Sequence, residues 1–197
     1  MMPLTARAAW LARWLEPQTG PLGPLRGSKI ICIADLENLH YSARDLGFRL
    51  NLVALTAILR GATHACVPHL HAFFSSAQPN DVSPSRDELE QLGWQVYVNR
   101  ASKNADDLIK IMTPSLVGLS LYDLLLVLSG DGDLVQTLAY SVRHLVDTVT
   151  ASLPLSTSRR LDARHNPLIL ANLEIGRDAL TPLSREGVQN GLLIDPW

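Results

Sequence analysis

The chain is poor in cysteine, in net charge and in long apolar runs. Its two cysteines among 197 residues, Cys32 and Cys66, are too few for a disulfide framework. Cys32 lies within an apolar run, as a small buried hydrophobe does, and this usage suits a reducing compartment, so we expect a cytoplasmic protein. A net charge of −2 and a pI near 6.3 give no general attraction for a polyanion or an anionic membrane.

No apolar segment is long enough to cross a membrane. The longest apolar stretch, residues 116–128, is interrupted by Asp123 and is shorter than the roughly 20 residues that a spanning helix needs. Residues 1–15 contain arginines but no continuous apolar segment, so we expect no secretory signal. Apolar residues make up 47% of the chain and charged residues 18%, which is typical of a globular domain with a sizeable core.

The first 28 residues differ in pattern from the rest of the chain. Residues 3–16 have the spacing of a short amphipathic helix, with Trp10 and Trp14 on one face. A linker rich in proline and glycine follows at residues 17–27. The helix is suited to pack on the domain, or to bind a protein partner or a second copy of the chain. We predict a helix and linker at 1–28, the functional domain at 29–174 and a C-terminal tail at 175–197.

Apolar runs alternate with helical patterns through the domain. The predicted strands cover residues 30–34, 70–74, 95–98, 124–128 and 146–153. The predicted helices cover residues 52–60, 84–92 and 133–144, with a short helix at 156–164. A further helix has Asp106 and Asp107 in its first turn and runs to about Val117. The alternation predicts right-handed crossovers and a mainly parallel sheet, in a three-layer α/β/α fold of the Rossmann-like kind.

Acidic residues follow the buried strands. Asp35 ends the first strand, Asp131 and Asp133 follow the strand at 124–128, and Asp106 lies in the first turn of a helix. The carboxyl ends of parallel strands line one crevice, so these acids are expected to converge. Carboxylates roughly 4 to 5 Å apart repel by about 3 to 4 kcal/mol per pair at an effective dielectric constant near 20. Protons or cations must neutralise such a cluster, and hard oxygen ligands favour Mg²⁺ or Mn²⁺ over zinc.

Three segments resemble the signature of the NYN domains, a branch of the PIN-like nuclease fold. Residues 33–39, Ile-Ala-Asp-Leu-Glu-Asn-Leu, resemble the opening element of that family. Residues 103–106, Lys-Asn-Ala-Asp, resemble its Lys-x-x-Asp element, and residues 129–133, Ser-Gly-Asp-Gly-Asp, resemble its Ser-Gly-Asp-x-Asp element. The order and approximate spacing also match, and the similarity runs from about Lys29 to Leu173.

The resemblance implies a metal-dependent endoribonuclease that cuts RNA phosphodiester bonds with a metal-activated water. The Mg²⁺ or Mn²⁺ ligands, which are also the expected catalytic residues, would be Asp35, Asp106, Asp131 and Asp133. Asn38 would shape the site or contact substrate, and Ser129 would orient a carboxylate or bind phosphate. Lys103 would contact the scissile phosphate or pair with an acid, and Arg100 flanks the site on the substrate side.

The sequence departs from the family pattern in two places. Leu134 stands where an aromatic residue often follows the last aspartate, a change that we attribute to packing. Residues 161–165, Leu-Asp-Ala-Arg-His, occupy the region where the family usually has an Ala-Asp pair. The second departure leaves open whether a late acid, such as Asp162, contributes to the site.

Other interpretations remain open from the residues alone. Asp131 and Asp133 are also compatible with a solvated turn in which Asp133 caps the following helix. Asp107 is compatible with an acid that only balances the dipole in the first turn of its helix. Glu37 is compatible with an exposed surface residue. His64, Cys66, His69 and His71 have a spacing that zinc sites use, although a strand and Pro68 interrupt it. The basic residues Arg159, Arg160 and Arg164 are compatible either with contacts to an RNA backbone or with a solvated surface.

Two other functional classes also fit the sequence. A catalytically weak module that binds RNA or a protein partner fits the acidic net charge, and the 6% aromatic content gives few platforms for stacked bases. Another phosphoryl-transfer enzyme, a DNA nuclease or a phosphatase, is the third interpretation. A phosphatase with a nucleophilic aspartate at Asp35 is less favoured, because Glu37 stands where a second aspartate is expected.

Overall fold

The structure, a computed structural model, describes residues 29–63, 69–75, 86–100, 104–118 and 122–183. Several predictions lie outside these residues: the N-terminal helix and linker, the roles of Lys103, His64 and Cys66, the start of the helix at 84–92, and the tail beyond residue 183. None of the helices in the described part combines the length and apolar composition needed to cross a bilayer.

Among the described residues, six parallel strands form the central sheet, and they confirm the predicted three-layer α/β/α fold. They are β1 (Ile30–Asp35), β3 (His69–Ser75), β4 (Trp94–Asn99), β5 (Leu124–Leu128), β6 (Asp147–Ser152) and β7 (Ala171–Glu174). Their order across the sheet is β4-β3-β1-β5-β6-β7. Strands β1 and β5 are therefore central neighbours, and their register pairs Ala34 with Leu128.

In the described part of the chain, five α-helices cover the two faces of the sheet. They are α1 (Leu36–Asp45), α2 (Leu52–Thr63), α3 (Arg86–Gln91), α4 (Ala105–Val117) and α5 (Val135–Arg143). Alternate residues of β1 face opposite sides: Cys32 packs in the core under α1, α2 and α3, while Ile33 packs in the core under α4 and α5. Both faces are buried, which explains why the central strands are continuous apolar runs and not alternating ones.

A two-stranded antiparallel ribbon lies outside the central sheet, and it corrects one prediction. Strand β2 (Phe48–Leu50), which the sequence pattern did not indicate, pairs with β8 (Leu180–Pro182). A 3₁₀ turn at Arg177–Ala179 precedes β8, and Ala179 accepts a hydrogen bond from the backbone N–H of Asn51 at 2.8 Å. The tail predicted from residue 175 was therefore wrong for residues 175–183, because buried apolar side chains tie this segment to the domain.

Gly93 and Leu145 have positive φ angles and lie in the turns after α3 and α5. Gly93 has a φ of 82° in the turn between α3 and β4, a backbone conformation that glycine adopts readily. The helix predicted at 133–144 ends at Arg143, and Leu145, beyond its end, is 71% exposed. Its φ of 63° turns the chain from α5 into β6. The predicted short helix at 156–164 is a single 3₁₀ turn at Arg159–Leu161.

Candidate metal centre

Asp35 occupies the carboxyl end of β1, directly beside the end of β5. Its Oδ2 atom accepts a hydrogen bond from Oγ of Ser129 at 3.3 Å, and its Oδ1 atom accepts one from the backbone N–H of Asn38 at 3.1 Å. The second bond caps α1, so one carboxylate ends a strand and begins a helix. Asp35 is 3% exposed, and both of its oxygens are fixed in direction.

Asn38 and Ser129 join the two loops that follow β1 and β5. Oδ1 of Asn38 accepts the backbone N–H of Gly130 at 2.8 Å, and Oγ of Ser129 accepts the backbone N–H of Asp131 at 3.1 Å. These side chains therefore hold the loop that carries Asp131 against the end of β1. The hydrogen bond from Ser129 to Asp35 agrees with the expectation that Ser129 orients a carboxylate.

Asp106 enters the same crevice from the first turn of α4. Oδ1 of Asn104 caps this helix by accepting a hydrogen bond from the backbone N–H of Asp106 at 2.8 Å. The backbone oxygen of Asn104 in turn accepts a hydrogen bond from Nδ2 of Asn99 at 2.8 Å. The end of β4 thus positions the start of α4. Asp106 is 3% exposed, whereas its neighbour Asp107 is exposed, which fits the interpretation of Asp107 as a first-turn acid.

Asp131 and Asp133 begin the turn that leads into α5. Oδ1 of Asp131 accepts the backbone N–H of Asp133 at 2.9 Å and caps the 3₁₀ turn at Gly132–Leu134. Asp131, and not Asp133, is therefore the capping residue. Carboxylate oxygens of Asp106, Asp131 and Asp133 all lie within 4.8 Å of one another. We call these three residues the acidic cluster.

Burial and mutual repulsion raise the pKa values of the two innermost acids. The pKa of Asp35 rises to about 8, chiefly because burial disfavours its charge and also because Asp106 and Glu37 lie near, while the bond from the Asn38 N–H opposes the rise. The pKa of Asp106 is also raised, first by burial and then by the charge of Asp131, and Lys110 opposes it. Without a cation, these acids retain protons at a pH where exposed carboxylates have lost theirs.

The donor set fits a hard divalent cation. Ligand oxygens about 2.1 Å from an octahedral Mg²⁺ lie about 3 Å apart when adjacent and about 4 Å apart when opposite. The spacing within the acidic cluster, at most 4.8 Å, is compatible with this after small side-chain rotations. The cluster contains only carboxylates, which favour Mg²⁺ or Mn²⁺ over softer metals. Asp35 is buried and lies next to Asp106, with which it interacts, but it is not one of the three residues of the cluster.

Glu37 is a residue that the sequence interpretation missed. It was expected to be exposed, but it is 8% exposed, and its Oε1 atom accepts the backbone N–H of Ser75 at the end of β3. A further acid therefore lies near Asp35 and helps to raise its pKa. The available signal was the polar Ser75 after an apolar strand, since that strand ends at the same edge of the sheet.

The segment after β6 closes one side of the acidic cluster. The backbone N–H of Ser158 donates to the backbone oxygen of Gly130 at 2.8 Å. A Cβ atom on Gly130 would lie 2.1 Å from the backbone oxygen of Ser156, so only glycine permits this approach. Nη1 of Arg160 lies 3.0 Å from Oδ1 of Asp133, in a pair whose side chains are 59% and 64% exposed.

Asp162 does not join the acidic cluster. Its Oδ2 atom lies 2.6 Å from Nη2 of Arg164 and 3.3 Å from Nδ1 of His165, and these contacts hold the pKa of Asp162 well below its usual range. A separate cavity of about 340 Å³ is lined by Thr157, Asp162, Ala163, Arg164 and Asn172. The late acid that the family pattern suggested is thus neutralised by its own neighbours.

The remaining candidates do not belong to the acidic cluster, or they lie outside the described residues. Arg100 is exposed at the end of β4, and Lys103 is outside the described residues. His69 and His71 each contact a tyrosine hydroxyl, Nδ1 of His69 at 3.1 Å from Tyr122 and Nδ1 of His71 at 3.3 Å from Tyr97. Among the described residues, the acidic cluster is the only group of three or more metal-ligating side chains that converges.

Comparisons with known proteins give a fold likeness and no function. No family model and no curated protein matches the chain. A crystal structure of a protein of unknown function from Vibrio parahaemolyticus is similar, with a TM-score of 0.60 and 18% sequence identity over 78% of this chain and 96% of that one. This likeness supports the α/β fold alone.

Proposed function

We propose that the protein is a metal-dependent endoribonuclease of the NYN type, acting in the cytoplasm. The observation that carries the proposal is the convergence of carboxylate oxygens from Asp106, Asp131 and Asp133 within 4.8 Å of one another. Asp35 lies at the end of β1, the strand next to β5, whose following loop carries Asp131 and Asp133. These four residues come from the motifs on which the family resemblance depends, and in this chain they meet at one edge of the sheet.

A divalent cation held by these carboxylates would supply the activation of water and the neutralisation of phosphate charge that phosphodiester hydrolysis needs. The side chains of the protein have separate tasks. Ser129 and Asn38 fix the directions of Asp35 and of the loop carrying Asp131. Asp133 is more than half exposed, so the cluster opens to solvent on the side from which a substrate can approach.

The charge of the centre makes RNA binding depend on the cation. The acids of the centre repel a phosphate backbone, and the net charge of −2 offers no compensating field. A hard cation reverses this local repulsion. The exposed Arg160 beside Asp133 then provides positive charge, and Arg100 at the end of β4 is the other basic residue that we expect to contact RNA. Mg²⁺ and Mn²⁺ are the expected cofactors, and single-stranded or structured RNA is the expected substrate.

The test compares RNA cleavage by wild type, Asp131→Asn and Asp178→Asn in the presence of Mn²⁺. Asp131 belongs to the acidic cluster, and its neutral variant should lose activity by about a hundredfold or more, as loss of a central charge-stabilising group does. Asp178 is exposed on the 3₁₀ turn at Arg177–Ala179 and is not a member of the acidic cluster, so Asp178→Asn should cleave as wild type does. Equal cleavage by all three proteins would indicate a contaminating nuclease and contradict the proposal.

A second candidate is a module that binds RNA or a protein partner with little or no catalysis. The ion pair between Arg160 and Asp133 favours it, because it engages one of the expected ligands. Calorimetric titration with Mn²⁺ separates the two candidates. A module that only binds has no need to retain cation affinity, whereas a nuclease must take up the ion through the acidic cluster.

A further inference from the structure

Arg160 is placed to compete with a cation for one member of the acidic cluster. Its Nη1 atom lies 3.0 Å from Oδ1 of Asp133, whose carboxylate also lies within reach of Asp106 and Asp131. Both partners of the pair are more than half exposed. Such a pair contributes little to stability, so a divalent ion can displace the guanidinium at small cost.

The backbone of Arg160 is fixed beside the cluster even though its guanidinium is exposed. Ser158 caps the turn at Arg159–Leu161, and its backbone N–H is bonded to Gly130. The Cδ atom of Arg160 would lie 3.2 Å from a Cβ atom on Gly132. The stem of the side chain therefore crosses the turn that carries Asp131 and Asp133, and the guanidinium remains near the centre when it leaves Asp133.

We propose that Arg160 couples cation binding to RNA binding. Its guanidinium pairs with Asp133 while the centre holds no cation, and a cation that takes Asp133 releases it to a phosphate group of the RNA. The planar fork of arginine suits a phosphate, with which it forms charge-assisted hydrogen bonds. The inference rests on the proposed ribonuclease function, and it adds a substrate-contacting residue outside the three motifs.

The neighbouring Arg159 provides a matched control. It lies on the same 3₁₀ turn, carries the same charge and is exposed. Within the described part of the chain, the ion pair to the acidic cluster comes from Arg160 and not from Arg159. Replacing either residue by glutamine removes the same charge from the surface, so a difference between the two variants reports the contact with Asp133.

The first measurement is calorimetric titration of each metal-free protein with Mn²⁺. Arg160→Gln should bind Mn²⁺ about two- to fivefold more tightly than wild type, the range that loss of a competing exposed ion pair supports. Arg160→Lys retains the charge and should return toward the wild-type affinity. The Mn²⁺ affinity of Arg159→Gln should be closer to the wild-type affinity than that of Arg160→Gln, because Arg159 does not pair with Asp133.

The second measurement is fluorescence anisotropy of a labelled single-stranded RNA, with Ca²⁺ replacing Mn²⁺ to slow cleavage. Arg160→Gln should bind this RNA about three- to tenfold more weakly, as expected when an exposed charge-assisted contact is lost. Arg159→Gln should lose less affinity for this RNA than Arg160→Gln does. The two measurements therefore predict opposite signs for Arg160→Gln, with tighter binding of the cation and weaker binding of the RNA.

The outcomes distinguish this inference from the function on which it rests. If wild type binds Mn²⁺ and cleaves RNA but Arg160→Gln behaves as Arg159→Gln does in both titrations, only the coupling is contradicted. Weaker binding of both ligands by Arg160→Gln and Arg160→Lys would indicate a structural role for the side chain and would also overturn the coupling. If wild type takes up no Mn²⁺, the proposed function fails and the coupling fails with it.

Discussion

At the scale of single residues, the candidate metal centre consists of Asp35 and the acidic cluster, whose negative charges repel one another. Asp35 and Asp106 are each 3% exposed, and neither has an arginine or lysine within salt-bridge distance in the described part of the chain. Their raised pKa values follow from burial and from the neighbouring carboxylates. Such an arrangement costs stability in the metal-free protein, and a cation or bound protons offset that cost.

The pKa of Asp35 leads to a prediction for stability. Because this pKa rises from its ordinary value to about 8 on folding, the folded protein holds a proton that the unfolded chain has released between about pH 4 and pH 8. The free energy of unfolding of the metal-free protein should therefore fall as the pH rises through this window. The limit for one proton is about 1.4 kcal/mol per pH unit.

Urea unfolding in the presence of EDTA, at pH 5 and at pH 8, measures this fall. Asp35→Asn removes the titrating group and should flatten the dependence, since the amide carries no charge at either pH. Asp178→Asn, a change at an exposed residue that does not contribute to the pKa shifts of Asp35 or Asp106, should keep the wild-type dependence. A stability that rises from pH 5 to pH 8 in wild type, or an unchanged slope in Asp35→Asn, would contradict the electrostatic argument.

At the scale of secondary-structure elements, the loop after β6 packs on the loop after β5 through glycine. A Cβ atom on Gly130 would lie 2.1 Å from the backbone oxygen of Ser156 and 2.7 Å from its carbonyl carbon. Backbone atoms cannot rotate away as a flexible side chain can, so one of the two loops must shift. The loop after β5 carries Asp131 and Asp133, and the shift would therefore alter the acidic cluster.

Gly130→Ala should lower the free energy of unfolding by about 1 to 3 kcal/mol, as overpacking does. Gly61→Ala is the control, because a Cβ atom there meets nothing within 4 Å and an alanine in an exposed helix position stabilises by about 0.5 to 1 kcal/mol. Urea unfolding of both variants measures the difference. Equal stabilities for the two variants would show that the loops do not need the close approach at Gly130.

The sequence predicted the buried strands better than the short elements. Leu124–Leu128 was predicted with the bounds that the structure has, because a strand buried on both faces is a continuous apolar run between polar ends. Helix α1 and strand β2 were not predicted. Strand β2 has only three residues, and its pairing with β8 is a contact across more than a hundred positions that local patterns do not reveal.

The candidate site was predictable where it depends on strand ends. The carboxyl ends of adjacent parallel strands must meet, and the contact between Asp35 and Ser129 follows from that rule. Arg160 was not predictable in the same way, because it reaches Asp133 through an irregular segment after β6. For Glu37 the strand-end rule gave only the signal of Ser75, and the contact itself depends on how the helix that carries Glu37 packs.

At the scale of the whole molecule, the sheet order determines which loops form the centre. Strands β1 and β5 are adjacent in the middle of the sheet although almost a hundred residues separate them in the chain. Helix α4 begins beside them because Asn99 at the end of β4 holds its cap. Three distant parts of the chain thus contribute carboxylates to one crevice, which opens to solvent at Asp133.

Calorimetric titration of metal-free wild type and Asp106→Asn with Mn²⁺ tests whether this crevice is a metal centre. Asp106 is the buried member of the acidic cluster, and its amide variant keeps the shape of the side chain while it loses the charge. Wild type should bind Mn²⁺ with a saturable heat, and Asp106→Asn should bind at least about tenfold more weakly, since a charged ligand is lost. Equal binding by the two proteins, or no binding by wild type, would contradict a metal centre at the acidic cluster.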